Sequence, residues 1–103
     1  MKNILLIGRL GINIPNLQTG IENKNINLFS GTNLEEVKDA FNQNDNQIDS
    51  VIMGAGIDLN VRLDIIRYIF ETSQSTTVHM KDWESGPKGM LPFVNSILNE
   101  LKE

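Results

Sequence analysis

The residues of this chain that could do chemistry gather around glycines. Gly8-Arg9 closes an apolar run, and Gly54-Ala55-Gly56 stands just ahead of Asp58 and a long apolar-periodic segment. Glycines there let backbone approach a ligand closely. A helix N-terminus with Arg9 nearby would favour an anion, which points to a small phosphate or nucleotide. Two details weigh against it. The dinucleotide fingerprint wants a third glycine where Leu59 stands, and no Walker lysine loop is present. Asp58 would also set a negative charge at the mouth of such a site. The plainer reading is a tight strand-to-helix turn. Ser85-Gly86-Pro87-Lys88-Gly89 could cradle a second anion, but a serine cap, a proline and two glycines are equally what a helix start requires. His79 is the one histidine, and an imidazole with an ordinary pKa near 6.5 suits proton transfer. It sits between Val78 and Met80 and has no nucleophile elbow to serve, so a structural or surface role is expected. The carboxylates Asp45, Asp49, Asp58, Asp64 and Asp82 fall in caps, turns and solvated faces, and their spacing implies no close pair for two-carboxylate hydrolysis. With no cysteine and one histidine, disulfides, thiolate metal sites and imidazole-rich zinc sites have no basis. The expectation is a protein that is not an enzyme and carries no cofactor or metal.

Whole-chain properties narrow the class further. A chain of 103 residues, 40% hydrophobic and 21% charged, suits one domain with one compact core. Its net charge of −4, without a Lys/Arg stripe, would repel phosphate backbones, so nucleic acid is a poor partner. The longest apolar run, Ile4 to Ile7, is far shorter than the roughly 20 residues that cross a bilayer, and Met1-Lys2-Asn3 leads into it without a signal-peptide pattern. No membrane association and a cytoplasmic location are expected.

The elements that must position these residues follow from patterning. Lys2 to Gly8 carries Ile4-Leu5-Leu6-Ile7 without polar alternation, as in a strand covered on both faces. Ile14, Leu17 and Ile21 suggest a short helix starting near Pro15. Ile26 to Phe29 reads as a second strand. Thr32 with Glu35 forms a capping box for a helix whose stripe is Leu34, Val37 and Phe41, and the Asn-rich run Asn42 to Asn46 stops it. Ile48 to Met53 is a third strand, Asp58 a natural N-cap for a helix from Leu59 to Thr72, and Thr76 to Met80 a fourth strand. After a loop from Lys81 to Gly86, a last helix spans Lys88 to Lys102, with Pro92 in its first turn and Leu91, Val94, Leu98 and Leu101 facing the core. Strands alternating with helices of crossover length require a parallel sheet with helices on both faces. The expected fold is an α/β, flavodoxin-like three-layer sandwich with a short parallel sheet in the order 2-1-3-4. Open α/β sheets bind ligands where the strand order reverses, here between the first and third strands. That rule gathers Gly8, Arg9, Gly54, Gly56, Asp58 and Lys81 as the candidate crevice.

The segment from Leu59 to Thr72 carries two apolar stripes where a sheet needs one. Leu59, Leu63, Ile66 and Phe70 are expected to face the core, and Val61, Ile65 and Tyr68 form a second stripe at i, i+4, i+7. An extra apolar face argues for a partner surface, with Trp83 as an aromatic anchor extending it. The alternative is a helix buried more broadly, with Trp83 folded over the sheet end. The partner would be another protein or a second copy in a homodimer.

Leu5-Leu6-Ile7-Gly8-Arg9 and Asp49-Ser50-Val51-Ile52-Met53-Gly54 resemble the first and third strands of response-regulator receiver domains. In receivers the first of these strands ends in two acidic residues that hold magnesium, where this chain has Gly8 and Arg9. The third ends in the phosphate-accepting aspartate, where it has Gly54. Lys81 matches the last-strand lysine, but Asp82-Trp83 follows it instead of the usual proline, and the chain is one βα unit shorter than a standard receiver. The resemblance implies a pseudo-receiver, which binds a partner without a phosphotransfer cycle and is not phosphorylated at the usual position.

Overall fold

A computed structural model describes residues 2–8, 26–54, 56–81 and 90–100. Among the described residues four strands form one sheet: β1 (Lys2–Ile7), β2 (Ile26–Gly31), β3 (Ser50–Met53) and β4 (Thr77–Met80). Among the described residues there are three helices, α1 (Leu34–Gln43), α2 (Leu59–Thr72) and α3 (Met90–Glu100). Every strand pair is parallel and the order is β2-β1-β3-β4, the flavodoxin-like arrangement expected from the alternation. The expected helix near Pro15 lies outside the described residues, as do the ends of the expected last helix.

β1 explains why the chain folds this way. It is paired on both edges, and its four apolar residues from Ile4 to Ile7 are all fully buried. Alternate side chains enter opposite layers, as strand geometry dictates. Leu5 and Ile7 join Val37, Phe41, Val51, Met53, Ile65 and Ile69 in one core. Ile4 and Leu6 join Ile26, Ile52, Val94, Ile97 and Leu98 in the other. Both crossovers through α1 and α2 carry the chain the same way across the sheet, so right-handedness puts them on one face, with α3 on the other. Each fully buried Leu or Ile contributes about 1.5–3 kcal/mol in area terms.

The start of α1 differs from expectation by one residue. Asn33, not Thr32, is the N-cap; its side chain accepts the Glu36 N–H at 2.9 Å. The Glu36 carboxylate in turn accepts from the Thr32 N–H at 2.7 Å and the Thr32 hydroxyl at 2.6 Å. β2 runs to Gly31, so the chain is still extended near Thr32, and Asn caps at least as well as Thr. The shifted cap uses both residues. The other end bears out the Asn-rich stop. Asp45 and Asn46 adopt left-handed backbone with φ of 54° and 61°, which these two residue types tolerate better than most. The Asn46 N–H returns to the Phe41 carbonyl at 2.7 Å, and the Asn44 side chain donates to the Ala40 carbonyl at 2.7 Å.

At the N-terminal edge of the sheet, Asn3 and Asp49 extend the β1–β3 pairing. The Asn3 N–H donates to the Asp49 carboxylate at 2.7 Å and the Asp49 N–H to the Asn3 carbonyl at 2.9 Å. In α3, Pro92 sits in the first turn, where a missing N–H costs nothing, and Val94 and Leu98 face the core as expected, joined by Ile97.

Asn33→Ala is expected to cost about 1 kcal/mol. In a domain of this size that lowers Tm by roughly 4–8 °C, measured by thermal unfolding. The two bonds from Thr32, the hydroxyl first, hold the Glu36 carboxyl below its ordinary value near 4.5. A lowered folded pKa stabilises above the unfolded value, and that contribution disappears as pH falls through the folded one. The stability gap between wild type and Glu36→Gln, from urea unfolding, is therefore expected to be present near neutrality and to shrink in acid. A gap that persists well below pH 4.5 would contradict this.

Candidate functional site

β1, β2 and β3 end together at the sheet's C-terminal edge, and the order reverses between β1 and β3, so Gly8 and Gly54 meet there as the sequence implied. A Cβ built on Gly54 would lie 3.4 Å from the Ile7 carbonyl oxygen and 3.9 Å from the Gly8 Cα. The amides at this point are committed. The Gly54 N–H donates to Ile7 O at 2.7 Å, the Gly8 N–H to Gly31 O at 3.2 Å and the Lys81 N–H to Met53 O at 2.8 Å. These bonds continue the strand ladders beyond the last strand residues. An anion cradle needs amides turned outward to the ligand, and these three point along the sheet.

The other crevice candidates separate. Gly56 and Asp58 are exposed, whereas Lys81 is only 4% exposed at the end of β4. Asp58 occupies the N-cap position of α2, and its carbonyl accepts the Arg62 N–H at 3.0 Å, but its carboxylate makes no capping bond. Its side chain therefore does not serve as the expected cap. Arg62 uses its Nε to reach the Ile57 carbonyl at 2.9 Å, holding the loop before α2 against the helix. Arg9, Ala55 and Trp83, and the segment Ser85 to Gly89, lie outside the described residues.

The two apolar stripes of α2 are exchanged relative to expectation. Ile65 and Ile69 are fully buried, and Val61 and Tyr68 pack beside them on the core. The Tyr68 ring meets Phe41 of α1 edge-on, with centroids 5.6 Å apart and planes at 87°, and the Lys38 ammonium lies 5.6 Å from its centroid. Val61, Ile65 and Tyr68 are thus core residues, and they do not form an outer surface. Leu59, Leu63 and Phe70 are the exposed ones, at 62%, 49% and 63%, whereas Ile66, half-buried, packs against the same core as Ile65 and Ile69, as expected of it. Ile69 explains the exchange. With Val61, Ile65 and Tyr68 it makes a wide apolar wedge suited to a sheet, whereas Leu59, Leu63 and Phe70, with Ile66 bridging to the core at the inner edge, form a narrow seam. At 100° per residue the seam lies on the flank of α2 away from Tyr68 and α1, on the side of β4. Met80, also exposed, stands on the same face of the sheet as Met53 and Val78.

One polar chain was not legible in the sequence. Ser50 Oγ and Thr77 Oγ1 share a hydrogen bond of 2.8 Å across β3 and β4, and His79 Nε2 stands 3.1 Å from the same Thr77 oxygen. The place of His79 between Val78 and Met80 was visible, but the register that brings Ser50 opposite Thr77 was not. The Ser50 side chain is sealed in the interior, so this serine cannot attack a substrate. Thr76 is also tied inward, donating to the Ile48 carbonyl at 2.5 Å and bonding Ser73 Oγ at 2.7 Å. Among the described residues every buried side-chain nitrogen and oxygen has a hydrogen-bond partner, and no three of His, Asp and Glu are grouped to hold a metal ion. No helix among the described residues is long and apolar enough to cross a membrane.

Comparison with protein-family models, curated proteins and solved structures found no match for this chain.

Gly54 has no left-handed φ, and an added methyl would meet Ile7 O at ordinary contact distance, so the strand-to-helix turn does not demand glycine at this residue. Gly54→Ala is expected to keep or slightly raise stability, by up to about 1 kcal/mol through the unfolded chain. A loss above about 2 kcal/mol in urea unfolding would contradict that and restore a conformational role for this glycine.

Proposed function

We propose that this chain is a non-catalytic, receiver-like interaction module that docks a protein partner on the outer seam of α2 and runs no phosphotransfer cycle. The observation that carries the reading is the exposed seam Leu59, Leu63 and Phe70, on a helix that already has a complete core face. Monomeric proteins seldom leave contiguous large apolar side chains in water without a use for them. The receiver-like part rests on the strand order and on the strand ends. Where a receiver holds its acidic cluster and phosphoacceptor, Gly8 and Gly54 offer no carboxylate, and Lys81 closes the last strand beside the end of β3. The partner surface differs from the one expected from sequence, since Leu59, Leu63 and Phe70 replace Val61, Ile65 and Tyr68.

The competing reading, a small anion or nucleotide bound at the strand-end crevice, loses ground because the Gly8 and Gly54 amides already serve neighbouring carbonyls. A thermal-shift screen against nucleotides, phosphorylated metabolites and inorganic phosphate separates the two. A ligand at a hundred times its Kd adds about 2.7 kcal/mol, which for a domain this small raises Tm by more than roughly 10 °C. We expect a flat screen. We also expect a photoreactive residue replacing Leu63 to yield discrete protein adducts in cells that are lost when Phe70→Glu is added, while the same residue at Asp39 yields none. A large shift with a phosphate compound, or adducts indifferent to Phe70→Glu, would overturn the reading.

A further inference from the structure

Resting on the reading of the α2 seam as a partner surface, we infer that the partner is a second copy of this chain, its α2 lying antiparallel across the first about a two-fold axis. The spacing of the seam is the first argument. Leu59, Leu63, Ile66 and Phe70 follow a 4-3-4 pattern, which reads the same in both directions along the helix. This is the heptad seam of two packed helices, narrower than the wedge a helix turns to a sheet. Under a two-fold axis a surface must complement itself, and this one does: Leu59 meets the second copy's Phe70 while Leu63 meets the part of the second copy's Ile66 that its own core leaves uncovered.

Charge chooses the direction. Arg62 and Arg67 flank the seam on opposite sides. Were the helices parallel, Arg62 of one copy would face Arg67 of the other, a like-charge pair at the positions that decide helix pairing. In the antiparallel arrangement the exposed Arg67 lies beside the second copy's Asn60 and Asp64, which are exposed as well. The antiparallel pair removes the repulsion and sets an opposite charge near Arg67. Among the described residues the flank of α2 is also open at this point: it lies on the side of β4, the last described strand of the sheet, and exposed Met80 adds apolar surface at that edge.

Size sets the strength. The seam spans about 16 Å at 1.5 Å per residue, three helical turns. A contact of that length is small beside the roughly 1,000 Å² expected of a firm interface, so the dimer is reversible and depends on concentration.

The chain contains no cysteine, so introduced ones report uniquely. Purified Leu59→Cys and Phe70→Cys are mixed at high concentration and treated with a short bifunctional thiol reagent. We expect dimers in the mixture and none from either variant alone, because like positions in an antiparallel pair stand about 16 Å apart. Sedimentation of the wild type should show dimer increasing with concentration, and Leu63→Glu should remain monomeric with unchanged circular dichroism. Dimers from Leu59→Cys alone would mean parallel packing and overturn the inference, as would a wild type that is monomeric into the millimolar range or a dimer that survives Leu63→Glu. A monomeric wild type whose position 63 still gives Phe70-dependent adducts in cells would remove the second copy as partner and leave the interaction reading standing.

Discussion

The structure depends on burying four consecutive apolar residues, Ile4 to Ile7, on both faces of one strand. An unbroken run of this kind has no face to turn to water, so it needs a layer of helices on each side and a strand on each edge. β2 and β3 supply the edges, α1 and α2 one layer, and α3 the described part of the other. Everything else is arranged around that requirement. The strand order reverses beside β1, which brings Gly8 and Gly54 together, and α2 is drawn over the sheet by Ile65 and Ile69.

That same demand limits what the strand ends can do. Continuing the ladder past Ile7 and Met53 uses the amides of Gly8, Gly54 and Lys81 as structural donors. These three amides, at the position favoured by α/β ligand sites, are therefore tied into the sheet. The molecule's less committed surface lies on the outside of α2, where large apolar side chains remain in water after the core is complete.

The architecture was legible because its signals are local or general. The β1 run, the α1 stripe of Leu34, Val37 and Phe41, and the Asn-rich stop after α1 are each read from a few neighbouring residues, and crossover handedness supplies the order. The failures came where two local solutions compete. Thr32–Glu35 and Asn33–Glu36 are both credible caps, and the end of β2 at Gly31 decides between them. Both stripes of α2 are apolar, and the contact of Tyr68 with Phe41, 27 residues away, is invisible to periodicity. Ile69 was the available clue, since it widens one stripe and not the other. At the crevice the residue types were legible, but the destination of each amide depends on register, which one sequence does not display. The Ser50–Thr77–His79 chain was hidden for the same reason.

On the proposed reading α2 gives its wide stripe to the core and its narrow seam to a partner. Methyl-resolved NMR with a soluble paramagnetic probe, recorded across a dilution series, measures both at once. We expect strong relaxation of the Leu59 and Leu63 methyls in dilute solution, protection of the same methyls as concentration rises, and silence from Ile65 and Ile69 throughout. Relaxation at Ile65 or Ile69, or Leu59 and Leu63 methyls already shielded in dilute solution, would contradict it.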